Sequence, residues 1–145
     1  MLEIVGCIVN GHNVWLVVVA GLVCMLASHT AFSLLLRAQR QPTRQHLWLG
    51  AAAVAMGCGV WATHFIAMLA YDTPWPMDYD VFLTALSAVI AIAISALGLA
   101  LALKGSFLGG GVIAGAGIPA MHYTGMAALE GSFLIEWNWN YVTAS

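Results

Sequence analysis

Residues 57–71 read GCGVWATHFIAMLAY, and residues 115–129 read GAGIPAMHYTGMAAL. At matching positions the two segments share two glycines, two alanines, a histidine and the methionine four residues after that histidine. Each segment ends a long apolar run, and repetition inside a chain indicates a duplicated structural unit. The repeat predicts two equivalent helices that each contribute one histidine and one methionine to a common site.

The composition is typical of a membrane protein. Of the 145 residues, 62% are hydrophobic and only 7% are charged, which is more apolar surface than a soluble domain of this size can bury. Four uncharged stretches exceed the roughly 20 residues that a spanning helix needs. The predicted spans are Val14–Leu36, Leu47–Tyr71, Val81–Leu103 and Phe107–Leu129. We therefore expect an all-α membrane protein, built as two tandem, parallel helix-pair repeats in one domain over residues 1–145.

The charges predict how the chain is oriented. All basic residues lie in the first and third connections, and all acidic residues lie near the N-terminus, in the second connection or after the last span. The basic residues are Arg37, Arg40, Arg44 and Lys104. By the positive-inside rule both basic connections face the cytoplasm, so both termini are expected outside. A net charge of -2 without a basic domain gives no indication of nucleic-acid binding.

Two His–Met pairs are the candidate functional residues. His64 with Met68, and His122 with Met126, are spaced four residues apart, so each pair lies on one helix face near the predicted outer end. If the second and fourth helices face each other, two imidazoles and two thioethers converge, a ligand set that favours copper, Cu(I) in particular. Accessory ligands are predicted at Met121 and His12. No acidic residue lies in any span, so we expect no hydrolytic enzyme based on paired carboxylates or a Ser/His/Asp set.

The second repeat contains Met121-His122-Tyr123-Thr124, the motif that names the MHYT family of bacterial integral-membrane sensor domains. The segment from Thr63 to Met68 resembles an earlier copy of that motif, and the resemblance extends over essentially the whole chain. It implies a multi-pass sensory input domain of the bacterial cytoplasmic membrane that binds copper near the outer face. Through the metal it would sense oxygen, carbon monoxide or nitric oxide and signal to a cytoplasmic output protein or to a second copy. The family pattern has three motif-bearing helix pairs and this chain has two, so a third is expected after Ser145 or in a partner chain.

The sequence is also compatible with other functions. His64 and His122 could ligate haem from opposing helices in an electron-transfer protein. A copper or small-ion transporter is a further alternative, although the spans lack the acidic residues expected of a permeation route. A structural membrane module without a ligand is the last one, in which the histidines make only hydrogen bonds between helices.

Overall fold

A computed structural model describes residues 13–71 and 78–130 of the chain. Four helices make up most of this part: α1 (Val14–Arg40), α2 (Gln45–Leu69), α3 (Val81–Leu103) and α4 (Phe107–Ala127). A 3-10 turn (Pro42–Arg44) joins α1 to α2, and two short antiparallel strands, β1 (Asp78–Tyr79) and β2 (Leu129–Glu130), pair beside the start of α3 and the end of α4. The predicted helical fold is confirmed.

Three segments of the described chain are long and apolar enough to cross a membrane: Val14–Arg40, Pro42–Leu69 and Val81–Leu103. Helix α4 is not among them, because its 21 residues include six glycines, a proline and the polar part of the motif. A fourth span over residues 107–129 therefore stays a prediction. The same holds for the outer position of both termini, which lie outside the described residues.

The helix ends differ slightly from the predicted span ends. Helix α1 continues past Leu36 to Arg40, because long arginine side chains can reach the membrane surface from a helix that continues beyond the apolar core. Arginines in the last turn also complement the negative end of the helix dipole. Helix α1 ends before Pro42, since the residue preceding a proline is driven out of the helical conformation; Gln41 has φ -126° and ψ 77°.

Both helix pairs are closed at the same end by the same backbone hydrogen bond. The Asn13 N–H donates to the Ala70 carbonyl at 2.7 Å, and the Asp80 N–H donates to the Ala128 carbonyl at 2.8 Å. Asn13 and Asp80 are also the N-caps of α1 and α3, where their side chains accept hydrogen bonds from the first turn. Ala70 and Ala128 are 1% and 0% exposed, so this junction has no room for a larger side chain. The closure of each pair thus explains one of the two alanine positions that the repeats share, the one occupied by Ala70 and Ala128.

The packing follows the repeat. Helix α1 packs along α2, α3 packs along α4, and contact between α2 and α3 joins the two pairs. Gly57 permits that junction, because a Cβ atom at this position would lie 2.5 Å from the Ile92 Cα. Close helix packing in membranes depends on such small residues. Helices α2 and α4 contact each other only over a short stretch.

Within the second pair the close approach is made by glycines that the sequence pattern did not single out. A Cβ on Gly98 would lie 2.7 Å from the Gly110 carbonyl oxygen, and a Cβ on Gly110 would lie 2.5 Å from the Gly98 oxygen. Small residues recur at three- and four-residue spacing at Gly50, Ala53 and Gly57 of α2 and at Gly111 and Gly115 of α4, a pattern that predicts close packing. Ala53 and Gly57 are buried, but a Cβ on Gly50, Gly111 or Gly115 would meet no atom of another helix within 4 Å in the described part. Spacing along one helix does not reveal which of its faces meets a neighbour.

Candidate metal centre

The two motif histidines meet where α2 and α4 come into contact. The Nδ1 atoms of His64 and His122 are 3.2 Å apart, which is hydrogen-bond distance when one imidazole is protonated there and the other is not. The ring centroids are 4.8 Å apart and the ring planes cross at 81°. The imidazoles converge although the two helices make few other contacts. Each repeat therefore supplies one of the two side chains of this polar contact between the helix pairs.

Each histidine is supported by the aromatic residue that follows it. The Phe65 ring lies edge-on to His64 at 5.1 Å, and the Tyr123 ring lies edge-on to His122 at the same centroid distance. Phe65 also packs against Trp61 at 5.0 Å and Tyr79 at 5.5 Å. Such ring pairs restrict the orientation of their members. Trp61, Phe65 and Tyr79 thus form an aromatic cluster on the His64 side of the histidine pair.

The backbone of α4 closes off the other nitrogen of His64. The His64 Nε2 atom is buried and has no hydrogen-bond partner in the described part of the chain. A Cβ on Gly125 would lie 2.9 Å from this atom, so only glycine leaves room for the ring. Nδ1, which faces His122, is therefore the nitrogen of His64 that is available to a shared ligand.

The distance between the two Nδ1 atoms is compatible with a bridging metal. Two metal–nitrogen bonds of about 2.0 Å at a tetrahedral angle span roughly 3.3 Å, close to the observed 3.2 Å. In the described residues no group of three or more His, Cys, Asp or Glu side chains could hold a metal ion. Within the described residues, thioethers are another type of ligand that such a site could use.

The predicted thioether ligands lie one helical turn beyond the histidines. Met68 and Met126 are both half-buried near the ends of α2 and α4, and their ligation stays a prediction. Met121 is only 1% exposed and belongs to the buried interior, a position that suits packing. His12 lies outside the described residues. Thr63, in the place of Met121 in the first repeat, donates to the Ala20 carbonyl of α1 at 3.5 Å.

A hydrogen-bonded link between α2 and α3 was not predicted from the sequence. The Trp61 Nε1–H donates to the Ser87 hydroxyl at 3.2 Å, and that hydroxyl donates to the Thr84 carbonyl at 2.7 Å. Ser87 is 0% exposed, so the chain of bonds is sheltered from water. It holds α2 one turn before His64. The available signal in the sequence was a serine within an apolar span, because a hydroxyl buried there needs a hydrogen-bond partner.

The sequence also did not predict that Tyr79 belongs to this aromatic cluster beside His64. Its hydroxyl is buried and has no hydrogen-bond partner in the described part of the chain. Tyr79 lies in β1, outside the segments predicted to span the membrane. Burial raises the pKa of the Tyr79 hydroxyl above its ordinary value, because the charged phenolate loses solvation.

Helices able to cross a membrane, with a duplicated His–Met motif between them, define the class: a membrane-embedded module with one polar centre made by two repeats. The family model for MHYT, the bacterial signalling protein N terminal repeat, matches residues 57–113 and 115–145. The chain belongs to this family. Each match begins at a glycine that opens one of the two repeated segments.

The chain is also similar to much longer signalling proteins. It is 41% identical over 128 residues to the bifunctional diguanylate cyclase/cyclic di-GMP phosphodiesterase MucR of Pseudomonas aeruginosa, covering 84% of this chain and 19% of that protein. It is 41% identical over 120 residues to the cyclic di-GMP phosphodiesterase NbdA of the same organism, covering 79% of this chain and 15% of that protein. A third relative, an uncharacterized signaling protein of Caulobacter vibrioides, is 36% identical over 141 residues, covering 93% of this chain and 17% of that protein. The chain thus spans less than a fifth of these relatives. No solved structure matches it.

Proposed function

We propose that this chain is a sensory input domain of the bacterial cytoplasmic membrane that binds copper between its two repeats. It signals to a cytoplasmic output, either a partner protein or a second copy, and carries no catalytic activity itself. Membership of a family of bacterial signalling repeats supports the sensory role. The names of two relatives support an output connected with cyclic di-GMP. The single observation that carries the copper proposal is the 3.2 Å approach of the two Nδ1 atoms.

The residues that would hold copper are His64 and His122, with Met68 and Met126. Copper held there would supply a redox-active ion with a coordination position for oxygen, carbon monoxide or nitric oxide. Gly125 and the ring of Phe65 close the Nε2 side of His64 and keep Nδ1 directed at His122. Met68 and Met126 follow one turn later on the same faces, where a soft sulfur can complete the ligand set.

A ligand shared by His64 and His122 would act on the contact between the repeats. Helices α2 and α4 belong to different helix pairs and contact each other little elsewhere. A ligand that binds one arrangement of these helices more tightly than another shifts the population towards it. The basic ends of the same helix pairs are the route by which such a shift would reach the cytoplasm.

The distance between the histidines does not favour the haem alternative. A haem held by His64 and His122 would need room for a flat macrocycle between the two ligating nitrogens. His64 and His122 have Nδ1 atoms 3.2 Å apart and ring centroids 4.8 Å apart. These distances support a small ion rather than a porphyrin between the rings.

The test is metal analysis with a visible absorption spectrum on detergent-purified protein. Wild type is compared with the His64→Ala/His122→Ala double variant and with His29→Ala, an exposed histidine of α1, as the matched control. We expect stoichiometric copper in wild type and His29→Ala, none in the double variant, and no Soret band. A histidine-dependent Soret band would establish haem. Absence of both metal and haem in correctly folded protein would leave a structural module.

A further inference from the structure

The turn between α1 and α2 carries an uncompensated positive charge. Arg37, Arg40 and Arg44 fall within eight residues and are all exposed. No aspartate or glutamate occurs between residues 13 and 71, so nothing in the first helix pair neutralises them. The described acidic residues lie near the histidine end of the pairs: Asp78 is in β1, Glu130 is in β2, and Asp80 follows β1. The turn is therefore suited to an anion supplied from outside this helix pair.

One of these arginines is held in a defined position. The Arg37 guanidinium carbon lies 5.4 Å from the centre of the Trp48 ring, and the Trp48 Nε1–H donates to the Gln41 Oε1 at 2.9 Å. A guanidinium stacked on an aromatic ring uses its face for that contact. The in-plane N–H groups of a guanidinium held in this way can bind an oxyanion with two parallel hydrogen bonds. Gln41 fixes the ring, and the ring supports the arginine.

Apolar side chains beside the charges indicate which kind of anion fits. Leu36, next to Arg37, is 53% exposed, and Leu47, next to Trp48, is 61% exposed. Both lie at the ends of helices that can cross a membrane. A small free phosphate would use the arginines and leave these leucines uncovered. A phospholipid would bring its phosphate to the guanidinium groups and lay its acyl chains along the leucines.

We propose that Arg37, Arg40 and Arg44, with Trp48 as a support for Arg37, bind the phosphate headgroup of an anionic phospholipid. Helix-dipole and orientation effects account for basic residues at this end of the chain. They do not account for the Gln41–Trp48–Arg37 arrangement. The site lies at the opposite end of α2 from His64, so it does not depend on the proposed copper function.

The experiment measures retention of phosphatidylglycerol against phosphatidylcholine by native mass spectrometry of the detergent-purified chain. We expect Arg37→Gln to weaken phosphatidylglycerol binding about fivefold, as removal of one basic group at an anionic surface does. Trp48→Leu, which leaves the charge unchanged, is expected to weaken it about threefold through loss of the stacked support. Lys104→Gln, which removes a basic residue from the other turn, is the matched control and is expected to have no effect.

Equal losses in Arg37→Gln and Lys104→Gln, with none in Trp48→Leu, would show nonspecific surface charge and overturn the proposal. Inorganic phosphate forms the second arm of the experiment. If it displaces phosphatidylglycerol completely, the site binds free phosphate and the lipid assignment is wrong. Circular dichroism of Trp48→Leu checks that the helices remain, and Arg37→Gln provides the decisive result should that variant unfold.

Discussion

The first and second helix pairs are closed in the same way, but the surfaces through which they contact each other differ. Both pairs are closed by a bond from an N-cap residue to a buried alanine, and both place a histidine six residues before that alanine. Gly57 lies against the backbone of α3, whereas a Cβ on its counterpart Gly115 would meet no atom of another helix within 4 Å in the described chain. Trp61 bonds to Ser87, whereas its counterpart is Pro119. The two repeats thus share the backbone bond that closes each pair, but they differ in the contacts that Gly57 and Trp61 make with α3.

The difference between the two surfaces can be tested most directly by replacing Gly57 or Gly115 with alanine, which adds one methyl group at each position. We expect Gly57→Ala to lower the free energy of unfolding by about 3 kcal/mol, because the new Cβ would lie 2.5 Å from the Ile92 backbone. Gly115→Ala should be neutral or stabilising by up to ~1 kcal/mol, through helix propensity alone. Unfolding in mixed detergent and denaturant measures both. Equal effects would show that the two faces are not different in the membrane.

The Trp61–Ser87 bond can be tested in the same way. Ser87→Ala leaves the indole N–H without its acceptor, and we expect a loss of about 2 kcal/mol, the cost of an unsatisfied buried donor. Thr30→Val on α1 is the matched control, because the Thr30 hydroxyl donates to the Leu26 carbonyl of its own helix. If Ser87→Ala and Thr30→Val have the same stability, the link does not contribute to the junction of the pairs.

Because both helix pairs are closed in the same way, we expect removal of either N-cap side chain to reduce stability by the same amount. Asn13→Ala and Asp80→Ala should each cost about 1 kcal/mol, since each removes a side-chain acceptor from the first turn of a helix. Thermal unfolding followed by circular dichroism measures the two losses. A cost at one cap and none at the other would contradict the view that both pairs are closed alike.

The smallest effect is expected at Tyr79, whose ring packs against Phe65, the residue that follows the first histidine. Its hydroxyl is buried without a partner in the described chain, so Tyr79→Phe should be neutral or stabilising by less than about 1 kcal/mol. Burial raises the Tyr79 pKa above 10.0, so the folded state favours the protonated hydroxyl. Stability is then unaffected below pH 10 and falls as the pH rises towards the folded-state pKa. This alkaline loss should shrink in Tyr79→Phe, and an unchanged pH profile would argue against the buried position.

The sequence predicted the helical fold well, because apolar length and the absence of charge are read directly from the residues. It also predicted that His64 and His122 could meet, since the repeat places them equivalently in two helices. It did not reveal Gly125 beneath His64, Ser87 behind Trp61 or Gly98 against Gly110. These contacts depend on which helix faces meet, and an apolar helix bordered by lipid has no polar side to show this. The wrong expectation for Gly111 and Gly115 has the same cause.

The bonds from Asn13 to Ala70 and from Asp80 to Ala128 also bear on how the module fluctuates. Each pair is joined by a turn at one end and by a backbone bond at the other, so separating its two helices requires breaking a main-chain hydrogen bond. Displacing one pair against the other disturbs mainly side-chain contacts, which exchange faster. In amide hydrogen exchange we therefore expect these two amides to remain protected together with the helices they close. Spontaneous motion should be concentrated along the junction of α2 with α3 and α4, where the histidines face each other.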